Sequence, residues 1–149
     1  MNPRRFLRDL CFVLAGTGLA VWGITRWVAI PWVVLGPSME PTLRDGDRVL
    51  VDLRTLRGRL PRPGDIVVVS WPGDENLVKR VAREPHPGSD PYPASPLATD
   101  SQLEPAFVVL GDNPDQSRDS RVFGRVPLHR VRGRVFWRYW PPSRWGSIE

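Results

Sequence analysis

The chain has 149 residues, 41% of them hydrophobic, a net charge of +5 and an isoelectric point near 10.6; that length carries one domain with a modest core and excludes two. Its single cysteine, Cys11, excludes an internal disulfide and argues against a cysteine-based zinc site, while two isolated histidines, His86 and His129, are too few for a histidine metal cluster. The positive charge is carried by twenty arginines and one lysine, scattered rather than run together, which reads as solvated faces first, proximity to an anionic lipid surface second, and not as a nucleic-acid groove.

Residues 1–9 form a basic N-terminal flank with Arg4, Arg5 and Arg8. Residues 10–25 carry no charge, and apolar character resumes past Arg26 from 27 to 35. Sixteen uncharged residues fall short of the roughly twenty needed to span a bilayer, but Arg26 can snorkel and let Trp27 and Val28 extend the segment. Trp22, Trp27 and Trp32 have the character of interfacial aromatics. The expectation is one membrane anchor over 10–34, N-terminus in the cytoplasm, body on the far side of the cell (inner) membrane. A cleaved signal peptide is the rival reading, although no small-x-small site leads into a polar mature start.

Beyond the anchor, short β-branched runs alternate with turn residues. Strands are expected at Arg48–Asp52, 65–71, 77–83, 106–110 and 131–139, and Pro-rich turns between them fit a mainly β barrel or sandwich over 35–140. The segment 85–105 is rich in Pro, Ser and Asp and reads as a long surface loop. A tail, 141–149, holds Trp145 and Pro142 and is expected to lie against lipid.

The lone lysine, Lys79, sits in Leu77-Val78-Lys79-Arg80-Val81-Ala82. Alternation along a strand puts Leu77, Lys79 and Val81 on one face and Val78, Arg80 and Ala82 on the other. If the Leu/Val face is the core, Lys79 points inward and Arg80 outward. Burial lowers a lysine pKa and yields a neutral amine, which an arginine cannot supply. Codon bias explains twenty arginines equally well, and a snorkelling lysine remains the plain alternative. Ser38, in Gly36-Pro37-Ser38-Met39-Glu40-Pro41-Thr42-Leu43, stands on rigid backbone between two prolines. A serine and a neutral lysine form a nucleophile and base in place of Ser–His; a plain loop serine is the other reading. The polar run 111–121 contains Asp112, Asp115 and Asp119, but its spacing is not that of a calcium loop; an Asp119–Arg121 pair with Ser117 nearby is the structural alternative.

Taken in order behind an apolar N-terminus, Ser38-Met39-Glu40-Pro41-Thr42-Leu43, Lys79-Arg80-Val81, Gly111-Asp112-Asn113 with Asp119-Ser120-Arg121, and then Phe123-Gly124 and Val126-Pro127, resemble the type I signal peptidases, Ser/Lys membrane endopeptidases that include the mitochondrial inner membrane protease. The resemblance covers roughly 5–140. It implies a β-rich catalytic body, Ser38 as nucleophile, Lys79 as general base, Ser117 as a hydrogen-bonding aligner of that lysine, and Asp119 with Arg121 as a bracing pair. It implies no cofactor and no metal, leader-peptide substrates with small residues before the cut, and a bilayer as partner; Met39 and Leu35 are the candidate pocket residues by their proximity to Ser38. The Ser38 N–H would contribute to the oxyanion hole. Some members carry a serine two residues before the nucleophile; here that position is Gly36, so the second donor is a backbone group or is missing. Pro114, the small size and Arg138-Tyr139-Trp140-Pro141-Pro142 are also similar to small proteases that mature nickel-type superoxide dismutase precursors. Three other readings predict different things. A self-cleaving repressor needs a DNA-binding helical domain. A non-enzymatic basic β module at the bilayer tolerates loss of Ser38 and Lys79. A Ser-His-Asp triad requires His86 or His129.

Overall fold

The computed structural model describes residues 3–27, 29–53, 59–73, 75–82, 92 and 105–148. Helix α1 (Pro3–Trp27) is followed by β1 (Ala29–Val33), β2 (Arg48–Asp52), β3 (Ile66–Ser70), β4 (Asn76–Val81), β5 (Ala106–Phe107), β6 (Val109–Leu110), α2 (Ser120–Phe123), β7 (Val126–Pro127), β8 (Val131–Trp140) and β9 (Gly146–Ser147). The strands form one antiparallel sheet in the order β1-β2-β8-β3-β4-β6, with β9 added to β8, and a small β5–β7 ribbon. The expected mainly β body is therefore one sheet with material packed on both faces.

The centre is β3. Its Ile66-Val67-Val68-Val69-Ser70 run is buried at every position, as a continuous β-branched strand covered on both sides should be. Ile66 and Val68 face a cluster with Val49, Val51, Val78, Val135, Met39 and Leu43, while Val67 and Val69 face a second with Val81, Val109, Phe123, Val126 and Val131. Both faces are thus interior, each buried valine contributing about 1.5–3 kcal/mol. Strand β8 serves both clusters because its register slips. The pairing moves from Val68↔Gly133 to Val69↔Val131, from Leu50↔Trp137 to Val51↔Val135, and from Arg48↔Trp140 to Val49↔Arg138. Each extra residue reverses which face its neighbours occupy. Plain alternation along 131–139 misses all three reversals.

Three further differences from the sequence expectation have physical causes. Residues 29–33, assigned to the end of the anchor, pair with β2 as an edge strand, and Trp32 packs on the first cluster. The run 106–110 breaks at buried Val108 into two strands that join different sheets. The tail joins the sheet: β9 pairs with β8 at Trp137↔Ser147 and Ile148 packs on the first cluster, while Trp145 stays exposed. The 85–105 loop, His86 and the Arg83 end of the expected strand lie outside the described residues, apart from Tyr92 and Pro105.

Among the described residues, no helix is long and apolar enough to cross a membrane. The uncharged part of α1 is interrupted by Gly16, Thr17, Gly18 and Gly23, which dilutes its apolar character. What α1 does present is an apolar surface in the open: Phe12 is 70%, Leu19 67% and Trp22 58% exposed. The Thr17 hydroxyl is satisfied by its own helix, donating to the Val13 carbonyl at 2.7 Å.

Candidate active site

Between β1 and β2 the chain makes a loop, 34–47, that covers the first cluster. Its base is closed by Val34 N–H to Asp47 O (2.8 Å) and Gly46 N–H to Val34 O (2.9 Å). Gly36 has φ +81, a left-handed conformation that favours glycine, and its N–H donates to Asp45 Oδ1 at 2.7 Å. Met39 and Leu43 are fully buried and plug the loop into the core, linked by Leu43 N–H to Met39 O at 2.9 Å. Ser38, one residue before the Met39 plug, is left at the surface of the loop.

Strand β4 brings the lysine. Val67↔Lys79 and Val69↔Leu77 are directly paired, so Lys79 shares the face of Leu77 and Val81. It is only 2% exposed. The Lys79 Nζ donates to Ser38 Oγ at 2.7 Å across 41 residues of sequence. Burial pushes the Lys79 pKa down from 10.5; the charge of Asp119 opposes that shift and the charge of Arg121 adds to it. On the other face Arg80 does not point to solvent. It forms a two-pronged pair with Asp112 (2.9 and 2.9 Å) and reaches Gly64 O (2.9 Å) and Thr42 Oγ1 (3.3 Å).

The third strand end, β6, supplies the floor. Asn113 N–H donates to Ser38 O at 3.1 Å. A Cβ on Gly111 would stand 2.2 Å from Ser117 Oγ and 2.5 Å from Ser38 O, so only glycine permits these segments to meet. Asp119 is completely buried. It accepts from Gly111 N–H (2.9 Å), Ser117 Oγ (2.7 Å), and Arg121 Nε (2.9 Å) and Nη2 (2.6 Å). Burial by itself raises the Asp119 pKa, but these donors outweigh it and hold the carboxyl at about 2. The Ser117 hydroxyl spends its one proton on the ionised Asp119 carboxylate, while the Lys79 amine donates to Ser38. Asp112 and Asp119 thus belong to two different arginines and form no common oxygen cage.

A cleft of about 450 Å³ opens at Ser38 and Lys79, lined also by Trp32, Val33, Leu35, Leu77, Val78, Asn76 and Glu75. Of the two expected pocket residues, Leu35 lines this cleft and Met39 does not, because Met39 is spent on the core.

Residues 7–85 and 97–140 match the family model described as signal peptidase, peptidase S26. Mitochondrial inner membrane protease subunit 1 of Mus musculus is 36% identical over 118 residues, spanning 76% of this chain and 71% of its own. The chain belongs to the signal peptidase family. A probable signal peptidase I-1 of Synechocystis sp. is 30% identical over 175 aligned positions, 99% of this chain and 89% of its own. Signal peptidase I of Mycobacterium tuberculosis is 28% identical over 225 aligned positions, 98% and 76% respectively. Both alignments exceed the 149 residues here, so these bacterial signal peptidases carry segments that this family member lacks. The family match lapses over 86–96, within the Pro-rich 85–105 segment, and ends at residue 140.

Relative to the family motifs, sequence reasoning missed three things. One is the Arg80–Asp112 pair, whose members are 32 residues apart with no local pattern to link them. Another is the close approach at Gly111, for which the only signal was a glycine at a strand end. The third is a buried carboxylate, Asp47, only 2% exposed, hidden in what reads as an ordinary Asp-Gly turn.

Proposed function

We propose that the protein is a membrane-associated serine endopeptidase that removes signal or leader peptides, with Ser38 as nucleophile and Lys79 as general base. The observation that carries this reading is the 2.7 Å approach of the buried Lys79 amine to Ser38 Oγ. Lowered pKa and proximity are both required of a base that must be neutral. In the reactive state the bond reverses direction, and the Ser38 hydroxyl donates to the lone pair of Nζ. Ser38 Oγ attacks the scissile carbonyl as the proton passes to Lys79. The resulting ammonium then donates that proton to the leaving amine, and the neutral lysine next activates water against the acyl-serine. Among the described residues no group accepts the Ser38 N–H, which leaves it for the oxyanion. Gly36 is not supported as the second donor, since its N–H is held by Asp45. Asp119 and Arg121 act through charge and through the Gly111 and Ser117 contacts, keeping the 111–119 segment against Ser38.

The cleft, with Trp32, Val33, Leu35, Leu77 and Val78 among its walls, suits an extended leader peptide with small residues before the cut. The exposed apolar surface of α1 supports a bilayer as the second partner, N-terminus on the cytoplasmic side and the β body on the extracytoplasmic side. No cofactor or metal enters the mechanism.

Cleavage of a preprotein reporter in detergent or liposomes tests the reading. Ser38→Ala and Lys79→Arg are each expected to lose at least about 1,000-fold in kcat. Wild-type kcat is expected to rise with pH as Lys79 becomes neutral, with a midpoint below 10.5. Retained activity in Lys79→Arg would sink the dyad, since a guanidinium cannot take the proton.

A further inference from the structure

The family match stops at residue 140, yet the next turn reaches the Ser38 loop. Arg144 follows Pro142 in a short 3-10 turn. Its guanidinium contacts both carboxylate oxygens of Asp47 (3.2 and 3.1 Å) and donates to Thr42 O (3.1 Å) and Pro41 O (3.4 Å). Arg138 completes the cluster. It donates to Thr42 O at 2.9 Å, pairs with Asp47 Oδ2 at 3.5 Å, and donates through Nε to the Arg144 carbonyl. Asp47 is tied back to its own turn by Arg44 N–H at 2.9 Å. Arg138 reaches this side of the sheet only because of the register slip in β8: Val49↔Arg138 and Val51↔Val135 then share a face, with Trp137 paired to Leu50. The Thr42 carbonyl thus accepts from both guanidiniums and the Pro41 carbonyl from Arg144 alone, and the planar guanidinium fixes direction as well as distance.

We infer that residues 141–148 are part of the catalytic body, and that Arg144, with Arg138, is a positioning residue that sets where the Ser38 loop stands relative to Lys79. This rests on the Ser38/Lys79 reading above. Arg144 touches neither reacting atom; it acts through the backbone of 41–42, three and four residues from Ser38. Nucleophile placement is steep in rate: about 1 Å of misplacement is worth about 100-fold. One fork of two is removed in Arg144→Ala, so a loss of about tenfold in kcat is expected, with KM within about twofold because the cleft is untouched.

The test is steady-state cleavage of the preprotein reporter by the full chain, across pH, for Ser38→Ala, Arg144→Ala, Arg144→Lys and the control Arg132→Ala, an exposed arginine outside this cluster. A looser loop lets water reach Lys79, so the rising limb of kcat should move to higher pH in Arg144→Ala, with Asp119 and Arg121, the charges acting on Lys79, unchanged. A residue needed only for folding would lower active protein without moving that midpoint. Methylguanidine should restore part of the Arg144→Ala loss and leave Arg132→Ala at wild-type rates. Arg144→Lys keeps charge beside Asp47 but loses the fork, and should fall severalfold in kcat; it carries the test if the alanine variant does not fold. Wild-type kcat and pH midpoint in Arg144→Ala or Arg144→Lys, alongside an inactive Ser38→Ala, would overturn the positioning role alone. Activity in Ser38→Ala would remove the dyad and this role with it.

Discussion

Lys79 and Ser38 meet at one hydrogen bond but are held by different physics. Lys79 belongs to a regular strand whose neighbours are fixed by the β3–β4 ladder and by buried valines on both faces. Ser38 belongs to an irregular loop. Apart from the Met39 and Leu43 plugs and the backbone bonds that close its base and tie Ser38 to Asn113, that loop is held by polar side chains reaching its backbone: Asp45, from within the loop, on Gly36, and Arg138 and Arg144, from the far end of the sequence, on Thr42. The strand side is rigid by repetition, the loop side by a few specific contacts. The proposed reaction, which needs both partners in register, would inherit two kinds of sensitivity, one to stability and one to geometry.

Gly111→Ala is the sharpest way to break the loop side. The added Cβ would collide with Ser117 and with the Ser38 carbonyl, so these segments must separate. A loss of about 100-fold in kcat is expected, with a much smaller change in the denaturation midpoint; equal falls in activity and stability would erase the distinction drawn here. Val68→Ala addresses the strand side. It removes two methyl groups from the fully buried centre of β3 and should destabilise by about 2 kcal/mol. Below the melting transition its kcat should match wild type within about twofold. Chemical denaturation and reporter cleavage on the same preparation separate the two outcomes.

The smallest effect sharpens the comparison at its meeting point. Lys79→Met replaces a buried cation by an apolar chain of similar length. The folded-state pKa of Lys79 lies below its unfolded value of 10.5, so the unfolded chain binds more protons between the two values and wild-type stability rises with pH across that window. Lys79→Met should therefore be inactive yet more stable than wild type. The gain should be full below the folded pKa and gone above 10.5. Thermal melts across that pH range check the sign. A variant less stable at neutral pH would mean that the amine's bond to Ser38 outweighs its burial.

The same division decides what was legible in the sequence. Face alternation put Lys79 with Leu77 and Val81 because a strand repeats every two residues, and the β-branched runs of β2, β3 and β4 stand close to where they are read. The expectation that Arg80 would be solvated failed for a related reason: a one-sided sheet was assumed, whereas β4 is covered on both faces. In β8 the register slips reverse the faces, and nothing in the residue pattern of 131–139 signals an inserted residue. Ser38 was readable only as part of a motif. Its actual supports, Asp45, Arg138 and Arg144, are a turn residue and two of twenty arginines, indistinguishable by composition from solvated ones. The apolar N-terminus shows the converse error. Continuity of apolar residues from 27 to 35 suggested one segment, but Ala29–Val33 had a pairing partner in β2 and joined the sheet.

Arginine elsewhere and lysine only at position 79 also make the chain its own reporter of opening. An endoprotease that cuts only after lysine has a single peptide bond to attack, Lys79–Arg80, and that bond lies inside β4 between paired strands. Two fragments, 1–79 and 80–149, should accumulate only as fast as the central strands come apart, so the residue proposed as general base also marks the moment the fold gives way.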